Sequence, residues 1–91
     1  MVKITKQSKP ISQIKKGDKV KVDGHELEVD DHYLFLDHKT TKEMIIELFN
    51  PKTDKDYQIR YFDDQVATSI EFYFLQDEFE YKKVEIKEVE W

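Results

Sequence analysis

An all-β fold, a small antiparallel barrel of six or seven short strands, is predicted by three observations on this 91-residue sequence. The first is composition: isoleucine and valine together number fifteen, alanine occurs once, and aromatic residues make up 13% of the chain. β-Branched and aromatic side chains suit a pleated, half-buried surface, whereas alanine suits helices. The second is periodicity, since apolar positions recur at every second residue through most of the chain. The third is punctuation: Asp23-Gly24, Asn50-Pro51 and Asp63-Asp64 separate the runs and mark tight turns. A meander of that size closes up to remove its unpaired edges.

Taken in order, residues 1–16 are polar and lysine-rich, with isolated Ile4, Ile11 and Ile14 and a helix-opposing Pro10. They read as a basic, extended N-terminal arm anchored by its isoleucines, and residues 17–91 as the barrel domain. Val20 and Val22 share one face of a strand, Asp23-Gly24 turns the chain, and Leu27 and Val29 return inward to complete a hairpin. Residues 33–37 form a short third strand, apolar on both faces, and 38–42 a polar connection. Residues 43–49 admit two readings. Thr40 and Glu43 have capping-box spacing, and Met44, Ile45 and Leu48 share a helical face. The short length, the adjacent isoleucines and the following Asn50-Pro51 favour a strand.

Residues 50–55 read as a hairpin loop leading into a strand over 57–62. The run 68–76 (TSIEFYFLQ) is the clearest strand, with Ile70, Phe72 and Phe74 on one face and Glu71, Tyr73 and Leu75 on the other. In 79–89, Phe79 and Tyr81 share one parity and Val84 and Ile86 the opposite one, which predicts a β-bulge at Lys82-Lys83. Six or seven short strands without a convincing long helix are most simply accommodated in a strongly bent antiparallel barrel of SH3-like type.

The segment 14–24, IKKGDKVKVDG, resembles the opening strand of SH3-like barrels of the KOW kind, with its hydrophobic-x-x-Gly-Asp-x-Val-x-Val-x-x-Gly pattern. The resemblance implies that Gly17 permits the turn into the barrel, that Asp18 accepts bonds from the turn amides, and that Val20 and Val22 enter the core. It covers about eleven residues, and His25-Glu26-Leu27-Glu28 departs from the small residue and valine that usually follow the glycine. It therefore implies a fold and no particular function.

Ninety-one residues support one core. The absence of cysteine excludes disulfides and thiolate metal sites. The N-terminus lacks the apolar core of a secretory signal, and the longest apolar runs are three or four residues, so a soluble, cytoplasmic protein is expected. The net charge of −5 conceals an asymmetry. Residues 1–21 carry seven lysines against Asp18, a net +6, and the remaining residues carry eight bases against nineteen acids, a net −11. Such a basic arm either contacts nucleic acid or a partner, or lies along the acidic body of its own molecule.

An enzyme is not expected. His25, His32 and His38 sit among aspartates, but His32 and His38 would lie about 20 Å apart along one strand and could not share an ion. Ser8, Ser12 and Ser69 have no neighbouring histidine or glycine-flanked elbow, and two glycines cannot build a phosphate-cradling loop. No catalytic residue, metal or cofactor is assigned. A nucleic-acid-binding reading would use Lys3, Lys6, Lys9, Lys15 and Lys16 with Arg60 and Tyr61, against the repulsion of the acidic strands. Another would present Asp77, Glu78, Glu80, Glu85, Glu88 and Glu90 as an acidic inhibitor or DNA mimic. The favoured reading is a non-enzymatic protein-interaction or accessory module. Its clue is a second apolar face, Tyr73 and Leu75 with Tyr81 or Trp91 beside them, which must be covered by the arm, by a second copy or by a partner protein.

Overall fold

The computed structural model describes residues 2–91. The chain forms one curled, half-barrel sheet of eight strands in the order β1-β8-β2-β3-β4-β5-β6-β7. The strands are β1 (Lys3–Lys6), β2 (Lys19–Val22), β3 (His25–Asp37), β4 (Lys42–Phe49), β5 (Asp56–Phe62), β6 (Glu71–Asp77), β7 (Glu80–Val84) and β8 (Glu88–Glu90). All neighbours run antiparallel except β1 and β8, which are parallel. A 3-10 turn (Ile11–Gln13) and a single helical turn, α1 (Val66–Ser69), complete the elements. The all-β expectation holds, and residues 43–49 are strand.

The count of eight reflects a different division of the chain: β1 lies within the expected arm, and the run expected at 79–89 is divided into β7 and β8. The segments expected as two strands at 26–29 and 33–37 are one thirteen-residue strand, β3. Its pairing with β4 slips twice, between Val29 and Asp31 and between Leu34 and Leu36. Each slip adds an unpaired residue, bends the strand, and changes which parity faces inward. Leu27 and Val29 therefore point into the core, whereas Tyr33 belongs to the outer face. The bulge expected at Lys82-Lys83 is absent: β7 pairs regularly from Tyr81 to Val84, and the irregularity lies at Gln76 in β6. The parity change in the sequence has another cause. Tyr81 lies on the outer face, Val84 lines the inner side, and the strand ends there. Thr68 and Ser69, expected at the start of the 68–76 strand, belong to α1 instead, and β6 begins at Glu71.

The two predicted turn devices do what their chemistry suggests. Asp23 and Gly24 both adopt positive φ (48° and 84°), the geometry that matches a two-residue hairpin to the twist of its strands. Gly17 also has positive φ (93°), and Asp18 accepts the Lys15 amide at 3.0 Å and pairs with the Lys9 ammonium. The Lys9 hydrogen bond, followed by the Lys15 amide, holds the Asp18 carboxyl below its ordinary pKa.

The inner face carries the core: Val20, Val22, Leu27, Val29, Ile46, Leu48, Ile59, Tyr61, Ile70, Phe72 and Val89. Residues 2–16 run against this core. Ile11 and Ile14 are buried in the core, and β1 pairs alongside β8. Burying an isoleucine contributes about 1.5–3 kcal/mol, enough for two of them to hold the segment down. The lysines of the segment meet acids in register: Lys3 lies opposite Glu88, Lys6 opposite Glu90, and Lys21 opposite both Glu26 and Glu90. Lys19 closes on Glu28 at 2.5 Å.

Candidate interaction surface

The sheet has a second packed layer on its outer face. Ile45 is 1% exposed yet lies outside the core cluster, and Gln58 is 4% exposed. Alternation in β4 and β5 places both on the outer side, where two rows of side chains cross the strands. One row runs Tyr33, Ile45, Arg60, Glu71, and the other Asp31, Glu47, Gln58, Tyr73, Lys83. Leu75 and Tyr81 are directly opposed beside them.

Polar groups in this layer are tied to one another. Tyr33 donates to Glu47 at 2.9 Å, and Arg60 Nε donates to Gln58 Oε1 at 3.1 Å. Tyr73 donates to Glu71 at 3.1 Å, while Lys83 pairs with the other Glu71 oxygen at 2.8 Å. The Arg60 guanidinium lies between two rings, 4.2 Å from the Tyr73 centroid and 5.4 Å from that of Phe35. Desolvation pushes the Tyr33 phenol up to about 12, assisted by its bond to Glu47. Burial raises Tyr73 and Tyr81 as well, with the charge of Glu71 acting on the first and those of Glu47 and Asp56 on the second. The Lys83 bond holds Glu71 below its ordinary value. At neutral pH the layer is thus a set of neutral phenol donors among fixed carboxylates.

At the β3–β4 end this layer merges into exposed apolar surface. Leu34, Phe35 and Leu36 are 47%, 46% and 49% exposed. Leu34 lies opposite Met44 on the inner side, whereas Phe35 and Leu36, the latter opposite Glu43, lie together on the outer side as exposed apolar surface of the kind found at interaction sites. Acidic residues adjoin it: Glu43 lies directly opposite Leu36, and Asp37 follows Leu36 in β3.

The open end of the half-barrel holds a cleft of about 430 Å³. Val22, Leu27, Tyr57, Phe72, Val84 and Ile86 give it an apolar floor, and its rim carries His25, Lys55 and Glu85. Tyr57 and Phe72 stack there with centroids 5.2 Å apart. Among the described residues no group of three His, Cys, Asp or Glu side chains is placed to hold a metal ion.

The residues expected to bind nucleic acid are dispersed. Lys3, Lys6, Lys15 and Lys16 are exposed near one margin of the sheet, and Lys9 is engaged by Asp18. Arg60 lies in β5, several strands away and between its two rings. Tyr61 is 2% exposed in the core, with its ring closed to base stacking. Of the expected partner-face residues, Tyr73, Leu75 and Tyr81 share the outer face. Trp91 is elsewhere: it packs against the core, and its indole N–H donates to the Lys9 carbonyl at 2.7 Å. The acids expected to mimic DNA are divided: Asp77, Glu78 and Glu80 lie at the β6–β7 turn, Glu85 on the rim of the cleft, and Glu88 and Glu90 in β8, where they face lysines.

Glu71 was expected beside Tyr73 and Leu75, but Tyr33, Phe35, Glu47 and Lys83 were not anticipated as parts of the outer layer. The signal for Tyr33 and Phe35 was present, since 33–37 is apolar at both parities and such a strand has cover on both sides. Comparison with protein-family models, curated proteins and solved structures returned no match for this chain.

Proposed function

We propose that this protein is a non-enzymatic interaction module that engages a partner protein through the outer face of β3–β6. The observation that carries this reading is the adjacent Phe35 and Leu36 pair, half exposed and continuous with the Phe35–Arg60–Tyr73 stack. A packed polar layer behind the patch keeps it rigid, so little side-chain entropy is lost on contact. The carboxylates at its border favour a partner whose apolar contact residues are flanked by lysine or arginine. An SH3-like description of the curled sheet is supported by its Gly17-Asp18 opening and the hairpin that follows. The lack of cysteine suits a cytoplasmic setting.

A photo-crosslinking side chain placed at position 35 in the native cell tests the reading. A discrete adduct at 35, absent when the same group replaces Thr53 and lost with Leu36→Ser, is the expected result. No discrete adduct at 35 refutes it. Oligonucleotide binding at low salt that disappears with alanine at Lys3, Lys6, Lys15 and Lys16 would instead favour a nucleic-acid module.

A further inference from the structure

Both margins of the sheet are short strands with two lysines each, β1 of four residues and β7 of five. The irregularity in the β6–β7 pairing falls at Gln76 of β6 and leaves β7 itself unbroken. The register of β1 slips between Ile4 and Lys6. Short length, irregular pairing and lysine are the devices that keep an edge from recruiting another strand. β7 pairs with β6 without interruption from Tyr81 to Val84, and among the described residues no strand pairs with its outer side. Alternate N–H and C=O groups along β7 therefore point away from the sheet with no strand to receive them. Of the two β7 lysines, Lys83 is drawn across the sheet to Glu71 at 2.8 Å, which leaves Lys82 as the one beside the edge.

We propose that β7 is a self-pairing edge, to which a second copy of this chain adds its own β7, antiparallel, about a twofold axis passing between the two Tyr81 residues. Charge selects this register. Centred on Tyr81, Glu80 of each copy lies directly opposite Lys82 of the other. Centred on Lys82 or on Lys83, two identical lysines would oppose each other. The twofold also keeps both outer faces on one side of the joined sheet. Leu75 already opposes Tyr81 within one chain, so the junction carries a continuous Leu75–Tyr81–Tyr81–Leu75 row. Phe79, in the β6–β7 turn and 90% exposed, comes alongside Lys83 of the second copy.

The absence of native cysteine makes the register directly readable. Opposed residues in an antiparallel pair have Cα atoms about 4.5–5.5 Å apart, within disulfide reach. Tyr81→Cys should therefore form a covalent dimer under mild oxidation at micromolar concentration. Lys83→Cys should not, because its two copies would be offset by roughly 13 Å along the strands. In sedimentation equilibrium the unmodified chain should dimerise reversibly. Glu80→Lys and Lys82→Glu should each weaken association about tenfold, and the double reversal should restore it. A monomer at every concentration, cross-linking of Lys83→Cys as fast as Tyr81→Cys, or a double reversal that fails to restore association would each overturn the proposal. Circular dichroism of each variant reports that the sheet is intact.

Discussion

The imidazole Nε2 of His32 lies 2.7 Å from the Tyr61 hydroxyl oxygen, and its Nδ1 lies 2.7 Å from the Ile14 carbonyl oxygen. A carbonyl only accepts, so in the neutral ring Nδ1 carries the proton and Nε2 accepts from Tyr61. One side chain thereby fastens the N-terminal segment to β3 and β5. Replacing His32 by Phe leaves the Ile14 carbonyl and the Tyr61 hydroxyl without partners, at about 1–3 kcal/mol each. Tyr61→Phe removes a single bond and should cost about 1 kcal/mol. Urea unfolding midpoints should rank the wild type above Tyr61→Phe and Tyr61→Phe above His32→Phe.

Asp23 does two things in one turn. It adopts a φ of 48°, and its Oδ1 accepts the amides of Lys87 at 3.0 Å and Glu88 at 2.9 Å. Asn retains both the tolerance of positive φ and an acceptor, so Asp23→Asn should be nearly neutral. Asp23→Ala loses both and should cost about 1–3 kcal/mol. Hydrogen exchange should show faster exchange at Lys87 and Glu88 in the alanine variant only.

Arg60 is the sole arginine, and its planar group is used on its faces and its edge. Arg60→Lys keeps the charge but loses the stacking and the Nε donor to buried Gln58. The expected loss is about 1–2 kcal/mol, with Arg60→Met no worse than Arg60→Lys. A lysine variant as stable as the wild type would show that charge alone matters there.

Stability should fall at both pH extremes for separate reasons. The folded Tyr33 and Tyr61 phenols sit at about 12 against an ordinary value of 10.0, chiefly through burial. Their contribution is complete below pH 10 and is lost as pH rises toward about 12. Glu71 and Asp18 are held below their ordinary values, so their contribution is present above the ordinary carboxylate range and disappears as pH falls through their lowered values. Phenolate absorbance, followed in the native and the urea-unfolded protein, should show a late-titrating class of tyrosines only in the native state.

The strand content, both glycine turns and the strand at 43–49 were legible because each rests on local chemistry. Val20 and Val22, or Asp23-Gly24, state their preference within a few residues. The two slips in β3 were not legible, since a bulge depends on which strand lies opposite, and β4 is a separate segment of the chain. For the same reason the parity change at 82–83 was misassigned to a bulge when it reflects two packed faces. The partner face was half visible: Tyr73, Leu75 and Tyr81 follow from period two, but Trp91 was grouped with them on composition alone. Its indole is committed to the Lys9 carbonyl, a contact spanning 82 positions that no local pattern announces.

The parallel pairing of β1 with β8 sets an order of events. Lys3 and Glu88 are partners, so the first strand of the sheet has no place until the last has been made. A chain emerging from a ribosome can close β2 through β7 by successive hairpins, each with its neighbour already present. Ile4 must wait beside an unfinished core through all of that time. The final step is the longest loop closure in the molecule, and long closures are slow. Refolding monitored at Trp91 should therefore lag refolding monitored by strand content.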